Sequence, residues 1–230
     1  MNSDGGTLGS GPSTGSSGRS SLLGRIASTG FGMLLLWLAS MWAVEITDTF
    51  VLGDDLQRNG IHPRRIDGLD GILWAPFLHS TFGHLVSNSV PLLALGFLVA
   101  IRGLRHWLTA TVMILVIGGG LTWLLAGGGN HIGASGIVFG YFGALMGAAF
   151  YERRPRVLAP ALVALLLYSG IIVGLVPQDG ISWEGHLFGL IGGVLAARTL
   201  AKGRRAPKRE LNDGPEYPWE LDEPWLGGNP

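Results

Sequence analysis

The sequence predicts an all-α, polytopic membrane protein of six spanning helices. Three observations carry that prediction. Charged residues make up 14% of the 230-residue chain, against about 25% in soluble domains. Apolar runs of roughly 20 residues, the length a spanning helix needs, recur along the sequence. Basic residues gather in alternate connecting segments, as the positive-inside rule requires.

The elements follow in order. Residues 1–28 are rich in Gly and Ser and nearly free of large apolar side chains. Such a segment buries too little surface to fold, so it is expected to be disordered. The first apolar run begins near residue 31 and is too long for a signal-peptide core, so no secretory signal is predicted. The six expected spans are 31–51, 83–101, 106–126, 135–151, 157–176 and 183–201, within a membrane domain of residues 29–202. Runs such as VLAPALVALLLYSGIIVGLVP have no polar face, which argues against a soluble bundle. The connection 52–82 is long, and its apolar GILWAPFLH is expected in the membrane interface. Residues 203–230 form a Pro-rich tail containing YPWELDEPW.

Charge sets the expected orientation. With the N-terminus inside, the inner segments hold Arg19, Arg25, Arg102, Arg105, Arg153, Arg154 and Arg156. The last inner segment adds Arg198, Lys202, Arg204, Arg205, Lys208 and Arg209, while the outer loops hold only Arg58, Arg64 and Arg65. Thirteen against three predicts that both termini are cytoplasmic. The 16 basic and 16 acidic residues balance, so no nucleic-acid partner is indicated. The chain has no cysteine, which excludes disulfides, thiolate metal sites and cysteine nucleophiles.

Polar groups are costly in a bilayer, so they mark function by default. Span two starts near HSTFGHLVSNS, where His84 and Asn88 are four residues apart and share a helix face. Span four starts with Ser135, in HIGASGIVFG, and span six carries His186 near its start, in WEGHLFGLIGG. All three spans run inward from the outer face, so these four residues share one depth. Singly, each has a plainer reading as a helix cap, an interface histidine or an interhelical hydrogen bond. Gly185, Gly189 and Gly193 recur at a spacing of four, as do Gly136 and Gly140. Small residues at that period let helices four and six approach closely.

This arrangement suits nucleophilic hydrolysis. A serine hydroxyl needs a base to take its proton, and His186 could supply it. No carboxylate is placed to complete a triad, because Glu184 lies two residues from His186 and faces elsewhere on a helix. A Ser135–His186 dyad is therefore the expected engine. Phe139, one turn below Ser135, could stack on the imidazole or simply pack in the core. His84, Asn88 and the Ser135 N–H are the candidate donors to an oxyanion.

These residues resemble the rhomboid intramembrane serine proteases. HSTFGHLVSN has the family's H-x-x-x-x-H-x-x-x-N form at His79, His84 and Asn88. GASG has its G-x-S-G form at Gly133, Ser135 and Gly136. GHLFGLIGG has its His followed by G-x-x-x-G, at His186, Gly189 and Gly193. The resemblance covers residues 30–201 and implies a rhomboid-like bundle. It implies Ser135 as nucleophile, His186 as base, and His84, Asn88 and Ser135 as the oxyanion hole, with His79 in support. It implies no cofactor or metal, and substrates that are transmembrane proteins cut near the outer face. The expected location is a bacterial cell membrane, with the lipid bilayer as surroundings. Two features depart from the family. Phe139 stands where some members carry tyrosine, and the Trp-Arg pair of many first loops is missing. Three other readings compete with this one. A metal hydrolase lacks any H-E-x-x-H, and a transporter would show internal repeats. A non-catalytic binder of membrane clients is the remaining alternative.

Overall fold

The computed structural model describes residues 30–178 and 180–202; the expected tails, 1–28 and 203–230, lie outside them. Six long helices make up the described bundle. Helix α1 is Gly30–Thr47, continued by a π-helical segment Asp48–Leu52. Helix α2 is Phe82–Ala100 and α3 is Leu104–Leu125, the latter widened by a π-helical segment at Ile114–Gly119. Helix α4 is Ser135–Glu152. Helix α5 is Pro155–Tyr168 with a 3₁₀ extension Ser169–Leu175, and α6 is Trp183–Lys202.

The helix ends follow local chemistry. Thr81 is extended (φ −162°) and its Oγ1 accepts the His84 N–H at 3.0 Å, capping α2. Pro155 opens α5 in the first turn, where its missing N–H costs nothing.

Four helices are long and apolar enough to cross a membrane: Gly30–Leu52, Phe82–Ala100, Leu104–Leu125 and Pro155–Leu175. The sequence predicts six. The two that fall short, α4 and α6, are the glycine-rich ones, and α6 also carries charged ends. Their setting explains the shortfall. From Ile137 to Leu145 every residue of α4 is buried by protein. A helix enclosed by other helices needs no strongly lipophilic surface. It needs small residues that let its neighbours approach.

That approach is closest between α4 and α6. A Cβ at Gly189 would fall on the Gly136 carbonyl oxygen, and one at Gly193 on that of Gly140. The other side of α6 is also close: a Cβ at Gly192 would lie 3.1 Å from the Ile114 Cα of the widened α3 segment. Gly118 of that segment in turn abuts Gly189. Helix α6 is thus wedged between α3 and α4. Around this wedge Leu34, Met41, Leu85, Leu92, Leu95, Ile114 and Tyr141 form one buried core. The Tyr141 hydroxyl meets Thr111 Oγ1 at 2.8 Å within this core. At the end of the bundle remote from Ser135, Arg102 pairs with Glu152, both nearly buried.

The long first connection folds over the Ser135 end of the bundle as a series of short helical turns between Leu56 and Phe77. Ile61 and His131 exchange backbone hydrogen bonds of 3.0 Å in each direction. Arg64 donates its N–H to Trp123 O at 2.8 Å and its Nη1 to Ala126 O at 2.6 Å. The Trp123 indole donates back to Arg65 O at 2.8 Å.

If backbone approach sets the α4–α6 spacing, Gly193→Ala should lower stability by about 1–3 kcal/mol, the usual cost of overpacking. Gly120→Ala adds a methyl where no heavy atom lies within 4 Å and should cost nothing. Thermal unfolding of the detergent-solubilised variants reads the difference.

Candidate active site

Helices α2, α4 and α6 all begin at the same end of the bundle, so their first turns converge. The α4–α6 glycine contact lies just past Ser135 on α4 and just past His186 on α6. It brings Ser135 Oγ to 2.8 Å from His186 Nε2. His186 Nδ1 lies 2.8 Å from the carbonyl oxygen of Gly174. A carbonyl only accepts, so Nδ1 carries the proton and the Nε2 lone pair faces the serine. This is the tautomer a general base needs.

The imidazole is also fixed in plane. Phe139 stacks on it with centroids 4.1 Å apart and planes 8° from parallel. Gly174 leaves the space this stack requires: a Cβ there would lie 2.8 Å from Phe139 Cζ and 3.1 Å from His186 Nδ1. The carboxylates are engaged elsewhere. Glu184 Oε1 accepts the Gly127 N–H at 3.1 Å, and Asp48 Oδ1 accepts the Leu56 N–H at 2.9 Å.

On the other side of Ser135 stand His84 and Asn88. Asn88 Nδ2 donates to His84 O at 3.0 Å, which uses one of its two hydrogens. Both side chains face Gly133. A Cβ there would lie 2.8 Å from His84 Nε2 and 3.5 Å from Asn88 Nδ2. Gly133 also has φ +105°, a conformation that other residues rarely adopt. Its N–H donates to Ala75 O at 2.8 Å, so the first connection holds the loop that delivers Ser135. The Ser135 N–H sits at the start of α4, where helix N–H groups lack intrahelical acceptors and the dipole favours negative charge. Ser135, His186, His84 and Asn88 all line one open cleft of about 810 Å³, whose wall also holds Ser80 and Ser87.

The remaining expected residues are placed as follows. His79 precedes α2, outside the expected span 83–101, and Thr81 caps the helix after it. His79 is fully buried and packs edge-on to His84, with ring centroids 5.1 Å apart. Gly136 and Gly189 form the helix contact directly beneath the serine, and Gly193 continues it one turn on. Gly185 also meets α4, since its carbonyl oxygen is the atom nearest a Cβ at Gly136, 3.4 Å away, while its own open side faces Ser182 Oγ. Sequence reasoning missed Gly174, because any residue offers a carbonyl and only the fold shows which one is aimed. It also missed the contact between His131 Nδ1 and Ser182 Oγ at 2.6 Å.

The Rhomboid domain model matches residues 69–203, more than half of the chain. The chain belongs to the rhomboid family. Relatives named only as uncharacterized proteins occur in Mycobacterium tuberculosis and Mycobacterium bovis, each 39% identical over 187 residues. That match covers 77% of this chain and 76% of theirs. A relative from Mycobacterium leprae, likewise named uncharacterized, is 36% identical over 195 residues, 80% of this chain and 77% of its own. As a rhomboid chain with several long apolar helices, this is an integral membrane protein.

Burial, and next the neighbouring His84, pushes His79 down from its ordinary 6.5 to about 4. The folded protein therefore holds His79 neutral while the unfolded chain protonates it near pH 6.5. Where the unfolded state binds more protons, stability falls as pH falls. Thermal stability in detergent should thus decline from pH 6.5 towards pH 4, and His79→Leu should flatten that decline.

Proposed function

We propose that the protein is an intramembrane serine endopeptidase. It hydrolyses peptide bonds in or near the transmembrane helices of other membrane proteins. The observation that carries this reading is the 2.8 Å contact between Ser135 Oγ and a His186 whose Nδ1 proton is engaged by Gly174.

The steps follow from that geometry. His186 Nε2 takes the Ser135 proton as Oγ attacks the scissile carbonyl carbon. The carbonyl oxygen becomes negative and is met by the Ser135 N–H, Asn88 Nδ2 and the His84 ring, which support the role of an oxyanion hole. His186, now cationic, gives its proton to the leaving amine. Gly174 O and the Phe139 face hold the ring throughout, the work a carboxylate does in a triad. Water enters through the open cleft; His186 takes its proton as it attacks the acyl carbon, then returns that proton to Ser135 Oγ as the ester bond breaks and the acid product leaves. His79 supports His84 by packing on it. None of these steps calls on a metal or cofactor.

We also place all six helices across the bilayer, with both termini cytoplasmic and the cleft towards the outer face. The antiparallel alternation of α1 to α6 and the thirteen-to-three charge asymmetry support this. Exposed Leu73 and Trp74 suit contact between the first connection and the interface. The bacterial cell membrane is the proposed location, in keeping with the mycobacterial relatives.

Purified protein should cut a single-span model substrate, while Ser135→Ala and His186→Ala should not. Asn88→Ala should reduce kcat by about 10²–10³, the usual loss of one oxyanion donor. Gel analysis of cleaved substrate checks all three. Cutting by Ser135→Ala would sink the mechanism. Intact substrate with the unaltered protein, bound but not cut, would favour a non-catalytic client binder.

A further inference from the structure

Four residues before Ser135 and four before His186 lies a second imidazole–hydroxyl pair. His131 Nδ1 and Ser182 Oγ are 2.6 Å apart, each about half-buried at the wall of the cleft. The two pairs therefore join the same two chain segments, each four residues apart in sequence. His131 is anchored independently. Its backbone exchanges both hydrogen bonds with Ile61, and its Nε2 faces Gly127 O at 3.4 Å. A carbonyl accepts, so Nε2 carries the proton and Nδ1 accepts the Ser182 O–H. Ser182 is anchored too, since its carbonyl accepts the His186 N–H at 3.1 Å and starts the first turn of α6. Gly185 leaves room for it, because a Cβ there would lie 2.6 Å from Ser182 Oγ.

The placement decides the role. On the inner side of Ser135–His186 the helices are locked by glycine contacts at Gly136–Gly189 and Gly140–Gly193. On the outer side α4 gives way to the irregular segment 127–134, which has no helix to hold it. There two hydrogen bonds join the segment entering α4 to the start of α6: the Gly127 N–H to Glu184 Oε1 at 3.1 Å and, nearer the Ser135–His186 pair in sequence, His131–Ser182. We propose that His131 and Ser182 are positioning residues, a latch that holds the segment entering α4 against the segment entering α6 so that Ser135 and His186 stay in register. The proposal rests on the endopeptidase reading and extends it. Neither side chain takes a proton from Ser135; both act through the spacing of the pair below them.

A latch acts on the reacting geometry more than on substrate binding, and small displacements of reacting groups cost up to about 10²-fold. His131→Ala and Ser182→Ala should each lower kcat about 10-fold with KM nearly unchanged. The double variant should be no slower than either single one, because both remove the same bond. His131→Asn should recover most of the rate, since its Oδ1 can accept the Ser182 O–H where Nδ1 did. Unchanged kcat in the single variants, or a loss carried by KM alone, would overturn the latch. A second arm needs no catalysis. The chain has no cysteine, so spin labels at Gly128→Cys and Ile181→Cys report the spacing of the two segments. The distance distribution should be narrow with Ser182 present and broadened by Ser182→Ala. Equal widths would also overturn the latch. Failure of the endopeptidase reading looks different: the unaltered protein would then leave substrate intact while the spin labels still responded to Ser182→Ala.

Discussion

Everything at the cleft depends on how closely two helix backbones approach. Helices α4 and α6 meet glycine to carbonyl at Gly189–Gly136 and Gly193–Gly140, with no side chain between them. In a bilayer, apolar burial gives little drive for helix association, so backbone packing carries it. The contact lies immediately beneath Ser135 and His186. A spacer the size of a methyl group would push the helices apart at the level where a hydrogen bond of 2.8 Å has to form. The same contact is why α4 and α6 are the least lipophilic of the six long helices.

The polar groups of the site are made tolerable by one another. His186 is satisfied by Gly174 and Ser135, His84 backbone groups by Thr81 and Asn88, and Gly133 by Ala75. What stays open is the face they share, which is the cleft. The N-termini of three helices point there, so the site concentrates free N–H groups and positive dipole ends. That environment suits a transient oxyanion. A carbonyl orienting His186 is consistent with it.

The sequence made much of this legible, and for physical reasons. Ser135, His186, His84 and Asn88 could be found because polar residues near the start of three apolar runs are too costly to be accidental. The glycine spacing could be read because a period of four lies along one helix stripe. Other features were out of reach. Gly174 acts through its carbonyl, which no residue type announces. His131 and Ser182 meet only after two loops have folded, although their matching offsets from Ser135 and His186 were a usable signal. The hydropathy of α4 and α6 is lowered by the glycines that let them sit at the centre, and four of the described helices are long and apolar enough to cross a membrane.

A serine-directed fluorophosphonate tests the glycine contact and the nucleophile together. Labelling would be followed by intact mass and mapped by peptide sequencing, on the unaltered protein and on Gly189→Ala, both inserted in lipid. The close approach of α4 and α6 requires a single adduct on Ser135 in the unaltered protein, forming at least about tenfold faster than in Gly189→Ala. Equal rates in the two proteins, or an adduct on another residue, would contradict it.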